Sequence, residues 1–274
     1  MRLACFLFIL AAASGAAQDL GARTGVPLKT SLAGHTLVLN EVFLNGSGPY
    51  RMLIDTGNAT SMVRPEIAHR LGLKTAYTVE QASLAQIRRV PVAILDEVRA
   101  GSVSDRSVEA IIGDVFQQGV DGVLGESWLV RHDYLLDYRN RRTALDGPPP
   151  GSGIRVPLRS TDGRPAVAAS IDGRIRDLVV DSGASTVVLY EKPAPDGALP
   201  TGVDTNGGAA RAQKCTVRFA LSGSIDHLID AVRIDHLIDA VRIDVHGLGP
   251  GLLPASAFAS VFVSNREGFV ELTR

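Results

Sequence analysis

The chain has 274 residues, and its 28 basic side chains almost balance 29 acidic ones, so the formal net charge is -1. This length allows one large domain or two of ordinary size, each with enough chain to form a hydrophobic core. The near-neutral charge excludes binding to nucleic acid through a basic surface, because no cationic excess is present to neutralise phosphates. A hydrophobic content of 45% with 21% charged residues excludes a generally disordered chain.

The N-terminal residues have the pattern of a secretory signal peptide. Arg2 precedes an apolar run from Leu3 to Ala13, and small residues follow at 14–17. A basic start, a short apolar segment and a small-residue cleavage site are typical of such signals, whereas a membrane-spanning helix needs a longer run. We therefore expect residues 1–17 to be removed, leaving a secreted or periplasmic protein without a stable membrane anchor. A buried N-terminal helix or a retained anchor is the alternative.

A segment rich in proline and glycine, residues 147–153, divides the rest of the chain into two halves of similar length. Its three consecutive prolines favour extended polyproline geometry and cannot continue a helix or a central strand. We expect residues 18–146 to form one lobe, residues 147–153 to be a linker, and residues 154–274 to form a second lobe.

The two halves repeat the same features in the same order, which favours a duplicated architecture. Each half has an apolar opening with a proline, an apolar segment ending in Asp-Thr/Ser-Gly, and a later short apolar element before a helix-compatible segment. In the first half and then in the second, these features are Val26–Lys29 and Val156–Arg159, Asp55–Gly57 and Asp181–Gly183, and Asp121–Gly125 and Pro250–Pro254.

Short strands and turns are predicted for most of the chain, in keeping with its 28 glycines and 14 prolines. Apolar residues alternate or run together in segments bounded by turn residues such as Asn45-Gly46-Ser47-Gly48 and Asp172-Gly173. The segments predicted as strands are 36–44, 51–54, 166–171 and 175–180, and those predicted as helices are 65–71, 127–130 and 255–261.

A second and much shorter repeat lies in the second half, where Ile225–Arg233 recurs without change as Ile234–Arg242. Two identical copies indicate a local duplication rather than a solenoid, which needs several units. His227 and His236 form a pair only through this duplication, so they predict no metal site. The other histidines have no ligand spacing and are expected in surface or hydrogen-bonding roles: His35, His69, His132 and His246.

The two Asp-Thr/Ser-Gly triplets are the strongest candidates for chemistry. A carboxylate at the end of a buried strand is costly unless it is hydrogen-bonded or shared, and a glycine two residues later lets the backbone turn tightly and approach a second loop. If the triplets meet across a pseudo-twofold axis, Asp55 and Asp181 face each other. Like charges about 3 Å apart cannot both ionise, so the pair shares one proton. The ionised partner can then deprotonate water while the protonated one polarises a carbonyl.

Three segments, Leu53–Gly57, Val179–Gly183 and Val123–Gly125, resemble the motifs of the retropepsin-like and pepsin-like aspartic proteases. The likeness is strongest to small secreted bacterial members with both lobes in one chain. It implies a mainly β fold of two pseudosymmetric β-barrel lobes with a cleft between them. It also implies a monomeric endopeptidase that acts on peptide or protein substrates and uses no metal and no cofactor.

The same resemblance implies roles for individual residues. Asp55 and Asp181 would be the catalytic dyad, and a flap would cover the cleft in each lobe. Gly207 and Gly208 are the candidate tip in the second lobe, and residues 78–89, which contain no glycine, are the matching place in the first. Support of the two catalytic loops is implied for Thr56, Gly57, Ser182, Gly183 and Gly125.

Two positions depart from the family pattern. Asn58 stands where the family usually has a small residue, and Pro254 stands where the second half would have the glycine of its apolar-apolar-Gly element. These departures keep open a catalytically weak or inactive peptide-binding module with the same fold. A single-lobe protease that dimerises through its first half is another alternative. The two aspartates could also be ordinary turn residues, since Asp and Gly are frequent in turns.

Overall fold

The computed structural model describes residues 24–82, 87–191, 199–205, 208–221, 236–243 and 251–274. Within these residues strands dominate, with two short α-helices and one 3-10 turn, so the predicted mainly β fold is confirmed. Several predictions lie outside the described residues: the signal peptide at 1–17, the flap residue Gly207, the first copy of the short repeat, Ile225–Arg233, and the role of His246.

The first half of the chain forms an eight-stranded sheet in the order β2-β3-β4-β9-β5-β8-β7-β6. In its centre β4 lies between β3 and β9 and runs parallel to β9, which explains why its last three residues are a continuous apolar run. Asn45 and Gly46 both have positive φ and form the turn between β3 and β4, which is shorter than the predicted turn over 45–48 because β4 already begins at Ser47. The strands are β2 (Thr30–Ala33), β3 (Thr36–Leu44), β4 (Ser47–Ile54), β5 (Ser61–Val63), β6 (Tyr77–Ala82), β7 (Ile87–Ala100), β8 (Val103–Ile112) and β9 (Gly122–Leu124).

The second half forms another eight-stranded sheet with the matching order β13-β14-β15-β20-β16-β19-β18-β17. Its central strand β15 is the counterpart of β4 and runs parallel to β20. The second copy of the short repeat, Ile234–Arg242, contributes most of β19. The strands are β13 (Arg159–Thr161), β14 (Arg164–Ile171), β15 (Arg174–Asp181), β16 (Val187–Tyr190), β17 (Leu199–Thr205), β18 (Gly208–Leu221), β19 (His236–Ile243) and β20 (Gly251–Pro254).

A six-stranded sheet combines strands from both halves in the order β1-β11-β10-β21-β22-β12. Its central pair, β10 and β21, joins the halves with Leu135 opposite Phe262. Residues 147–153 connect β11 to β12 without regular secondary structure, and the division into lobes at this segment stays a prediction. The strands are β1 (Val26–Leu28), β10 (Tyr134–Asp137), β11 (Arg142–Leu145), β12 (Ile154–Pro157), β21 (Ser260–Ser264) and β22 (Phe269–Thr273).

Two of the three predicted helices are present, as α1 (Pro65–Arg70) and α2 (Glu126–Leu129). The prediction of a helix over 255–261 was wrong, because only Ala255–Ala257 forms a 3-10 turn and β21 begins at Ser260. Val261 is β-branched and fully buried where β21 pairs with β10, so sheet packing overrides the local helical pattern. None of the helices among the described residues is long and apolar enough to cross a membrane.

Candidate active site

Asp55 and Asp181 occupy corresponding positions in the two eight-stranded sheets. Asp55 directly follows β4, and its backbone amide donates to the carbonyl of Leu124 in β9 at 3.0 Å. Asp181 is the last residue of β15 and pairs with Pro254 in β20. Their exposed fractions are only 6% and 7%, so each apolar strand delivers a carboxyl group into a buried position.

The residues that follow the two aspartates tie the loops together across the halves. The amide of Thr56 donates to Oγ of Ser182, and the amide of Ser182 donates to Oγ1 of Thr56, both at 3.0 Å. Each hydroxyl also donates to a carbonyl of the opposite strand, Thr56 to Val180 at 2.5 Å and Ser182 to Ile54 at 2.8 Å. The structure therefore brings the two predicted hydroxyl residues into one reciprocal contact.

Glycine at positions 57 and 183 leaves room for the opposite carboxyl group. A Cβ atom at Gly57 would lie 2.4 Å from Cγ of Asp181, and one at Gly183 would lie 2.9 Å from Cγ of Asp55. Neither glycine has a positive φ, so space rather than a left-handed backbone requires glycine here. The predicted close approach of the two loops is present in the structure.

The two carboxyl groups each lie against the glycine of the opposite loop and accept hydrogen bonds from their own loops. Oδ1 of Asp55 accepts from the amide of Gly57 at 3.0 Å, and Oδ1 of Asp181 accepts from the amide of Gly183 at 2.7 Å. A further donor differs between the halves, because Asn58 Nδ2 donates to Oδ2 of Asp55 at 2.6 Å and the amide of Ala184 donates to Oδ1 of Asp181 at 3.1 Å.

Burial and mutual repulsion favour a shared proton on this pair. Burial and then the charge of Asp181 raise the pKa of Asp55 well above its ordinary value. Burial also raises the pKa of Asp181, but the amides of Gly183 and Ala184, the bond from Asp55 and the cation of Arg164 oppose that increase. Both carboxyls therefore favour the protonated form more than a free aspartate does, and the pair titrates as a unit that can hold one shared proton.

Two tyrosines experience the charge of the dyad. Burial and the charge of Asp181 raise the pKa of Tyr190 to about 12. Burial and the charges of Asp181 and Asp55 also raise the pKa of Tyr138, whose buried hydroxyl lacks a hydrogen-bond partner among the described residues. Both phenol hydroxyls therefore stay protonated and neutral beside the two carboxyls.

Gly125 packs against the loop that follows Asp55. A Cβ atom there would lie 2.6 Å from the carbonyl oxygen of Asn58 and 2.9 Å from that of Thr60, so only glycine fits. The amide of Gly125 donates to Oγ of Ser61 at 3.1 Å, and the amide of Glu126 donates to the Asn58 carbonyl at 2.9 Å. In the second half Pro254 takes this place, and the pairing of β20 with β15 continues through it.

Glu126 is a buried carboxyl group that the sequence analysis did not single out. It is 3% exposed, and the hydroxyl of Tyr134 donates to its Oε1 at 3.0 Å. Burial raises the pKa of Glu126 to about 8, so the side chain is largely protonated at neutral pH. The only local signal is its place at the start of α2, which does not distinguish a buried glutamate from an exposed one.

The predicted flap segments coincide with two hairpins in corresponding positions of the two sheets. In the second half β17 pairs with β18 up to Thr205 opposite Gly208, and Gly207 lies outside the described residues. In the first half β6 pairs with β7 although residues 78–89 contain no glycine, and residues 83–86 are outside the described part. The flap role of these hairpins stays a prediction.

His35 contacts the Asp181–Gly183 loop of the opposite half. Its Nε2 lies 2.9 Å from the carbonyl oxygen of Gly183, and the side chain is exposed on the turn between β2 and β3. The sequence predicted a surface or hydrogen-bonding role for this histidine without identifying the partner. No local pattern could identify it, because the two residues are 148 positions apart.

The comparisons with known proteins agree with this geometry. Residues 41–128 match the protein family described as aspartyl protease, a segment that includes the triplet Asp55–Gly57 and the supporting Gly125. The match confirms the predicted resemblance to aspartic proteases. It ends before Asp181, so the placement of the second carboxyl depends on the structure. No curated protein gives a significant match to the chain.

Two solved structures are among those similar to this chain. The crystal structure of Basic 7S globulin from soybean has a TM-score of 0.52 and 11% sequence identity, and the likeness covers 92% of this chain and 95% of that one. The crystal structure of a retropepsin-like aspartic protease from Rickettsia conorii has a TM-score of 0.35 and 19% identity, over 45% of this chain and 90% of that one. The first likeness extends over both halves and concerns the fold alone.

Proposed function

We propose that this protein is an aspartic endopeptidase that hydrolyses peptide bonds with a water molecule activated between Asp55 and Asp181. The observation that carries the proposal is the juxtaposition of two buried carboxyl groups, one from each half of the chain, each against the glycine of the opposite triplet. A structural role alone does not explain why two acidic groups are buried against each other, since such a pair opposes folding unless it keeps a proton.

The arrangement supports general acid–base catalysis. The ionised member of the pair takes a proton from water as the water oxygen attacks the peptide carbonyl carbon, and the protonated member donates its proton to the carbonyl oxygen. The aspartate that took the water proton then gives it to the amine nitrogen as the C–N bond breaks, and a hydroxyl of the tetrahedral diol returns a proton to the other aspartate. The products are a carboxyl group and an amine, and no covalent bond to the enzyme forms.

The shared proton predicts activity at acidic pH. Raising the pH above the upper pKa of the coupled pair removes the acid, so the rate falls on the alkaline side. Lowering the pH below the lower pKa protonates the base, so the rate falls there as well. Peptide or protein in an extended conformation is the expected substrate, because both carboxyls must reach a single backbone carbonyl.

The variants D55N and D181N test the proposal in the full chain. Each keeps the size of the side chain and removes one carboxyl group, so cleavage of an unfolded protein substrate such as denatured casein should fall at least about 10³-fold. The matched control is D177N, which alters an aspartate of the same strand β15 that pairs with Arg159. Full activity in purified D181N would refute the proposed function, and D177N should retain the wild-type rate.

The alternative is a peptide-binding module with the same fold but no turnover. Asn58 and Pro254 motivate it, because both depart from the family pattern. A peptide mimic of the tetrahedral state, of the pepstatin type, distinguishes the two functions when activity is assayed in parallel. Binding of the mimic with no cleavage of any unfolded protein between pH 3 and 7 would favour the module.

A further inference from the structure

The dyad is not symmetric in its hydrogen bonds. Each aspartate accepts the amide of the glycine two residues later on Oδ1. In the second half the remaining donor, the amide of Ala184, also reaches Oδ1, whereas in the first half the side chain of Asn58 reaches Oδ2 of Asp55 at 2.6 Å. Asn58 thus supplies the one side-chain amide that the described contacts place on either catalytic carboxyl.

The backbone of residue 58 is held independently of its side chain. The amide of Asn58 donates to the Asp55 carbonyl at 3.2 Å, and the Asn58 carbonyl accepts from the amide of Glu126 at 2.9 Å. Gly125 packs against the same carbonyl. A substitution at this position therefore removes the side-chain amide and leaves the course of the loop in place.

We propose, resting on the proposed function, that Asn58 is a positioning residue whose side-chain amide fixes the Asp55 carboxyl and sets the pH range in which the dyad holds a single proton. Its Nδ2–H group favours the ionised form of the carboxyl that it contacts. This donation opposes the burial and repulsion that raise the pKa of Asp55. Asn58 therefore keeps the single-proton state of the pair in a more acidic range than the buried site alone would give.

Other charged and titratable groups surround the pair and remain in place when Asn58 is changed. Arg164 of β14 lowers the pKa of Asp181, and Tyr138 and Tyr190 respond to the charge of Asp181. Glu126 of α2 lies beside the backbone of Asn58 and is largely protonated at neutral pH. None of these groups donates a hydrogen bond to Oδ2 of Asp55 in the described contacts, so they do not replace the amide.

The experiment measures the titration of the dyad in the full chain by two independent readouts. The first is the carboxyl 13C chemical shift of the two aspartates, assigned with D55N and D181N. The second is the pH dependence of kcat/KM. In N58A the titration midpoints given by both readouts should move to higher pH by about one pH unit. The isosteric N58D removes the donor and adds a negative charge, so it should move the upper midpoint further.

The matched control is N140A. Asn140 Nδ2 donates to Oδ2 of Asp137 at 2.8 Å, which repeats the three-residue spacing and the atom types of the Asn58–Asp55 contact in the turn after β10. N140A should leave the midpoints of the dyad unchanged. A merely structural role of Asn58 would lower kcat in N58A with unmoved midpoints, and that result would overturn the proposal.

The outcomes separate this inference from the proposed function. If neither D55N nor D181N lost cleavage, the protease assignment would be rejected. The carboxyl 13C chemical shifts would still decide the role of Asn58 in that case. Cleavage that depends on both aspartates, together with wild-type midpoints in N58A, would reject the role of Asn58 alone. If N58A does not fold, the comparison of N58D with the wild type decides, because an unmoved upper midpoint there also overturns the proposal.

Discussion

Thr56 and Ser182 each donate a backbone amide to the hydroxyl of the other, at 3.0 Å in both directions. The two residues lie 126 positions apart, so this contact sets the relative position of two loops that the chain does not connect locally. The carboxyls of Asp55 and Asp181 precede them directly. The geometry of the dyad therefore depends on a contact between neighbouring residues that do not themselves take part in the proposed chemistry.

Removing either hydroxyl should destabilise the protein and misplace the dyad. T56A and S182A each leave a buried amide without its acceptor and a buried carbonyl without its donor, so the free energy of unfolding should fall by about 2–4 kcal/mol. T56S keeps the hydroxyl and should retain most of the stability. Urea denaturation followed by circular dichroism measures the change. A loss in T56A no larger than that in S104A, an exposed serine, would contradict this account.

The two dyad glycines should differ in their tolerance of alanine. The added methyl group meets Asp181 at 2.4 Å in G57A but meets Asp55 at 2.9 Å in G183A, so G57A must displace the opposite carboxyl further. We expect G57A to abolish cleavage and G183A to retain more activity. G113A, at a glycine without a positive φ whose nearest neighbours are side-chain atoms 3.3 Å or more away, controls for the general effect of replacing glycine. Equal activities in G57A and G183A would show that these clearances do not decide tolerance.

Glu126 predicts a stability that falls as the pH rises. Its pKa is about 8 in the folded state against an ordinary 4.5, so between these values the folded chain holds a proton that the unfolded chain releases. The free energy of unfolding therefore decreases with pH across this window, by roughly 1.4 kcal/mol for each pKa unit of difference. E126Q removes the titration but keeps an Oε1 acceptor for Tyr134. Denaturation at pH 5 and pH 8 should show a smaller decrease for E126Q.

Asp55 and Asp181 also make the free energy of unfolding depend on pH, and they provide a check on the E126Q experiment. Both Asp55 and Asp181 have raised pKa values, so their effect on stability has the same sign as that of Glu126. The slope that remains in E126Q should diminish again in the double variant E126Q/D55N. An identical decrease between pH 5 and pH 8 in the wild type and in both variants would show that these buried carboxyls do not control the stability.

His132 should matter for the stability of the region between the halves. Its Nδ1 and Nε2 lie 2.9 and 2.8 Å from carboxylate oxygens of Asp146 and Asp105, and Arg266 of the second half also contacts Asp146. H132A removes the imidazole that contacts both carboxylates, so the free energy of unfolding should fall by about 2 kcal/mol. H69A alters an exposed histidine of α1 and should change it by less than about 0.5 kcal/mol.

The local sequence was sufficient where local chemistry decides the structure. Asn45-Gly46 predicted its turn because both residues tolerate positive φ, and an apolar run ending in Asp-Thr-Gly predicted the central strand β4. The helix predicted over 255–261 failed because sheet pairing with β10 decided the structure of Val261. Local composition does not contain that pairing, since the two strands lie far apart in the chain.

The same distinction between local and long-range contacts applies to the candidate site. The repeated triplets indicated which carboxyls meet, because the duplication itself carries the symmetry. The contacts of Asn58 with Asp55 and of His35 with Gly183 were not predicted. The first was seen only as a departure from a family pattern, and the second depends on how the two halves dock. The burial of Glu126 was also missed, because a single glutamate at the start of a helix gives no sign of its surroundings.

The six-stranded sheet has a consequence for the cooperativity of unfolding. Strands β10 and β21 form its central pair. If either half unfolded, the strand of the other half would lose its hydrogen-bonded neighbour and expose an apolar edge. The two halves are therefore expected to lose their structure in a single calorimetric transition. The proposed activity and the folded structure would then be lost at the same temperature, and neither half would remain folded alone.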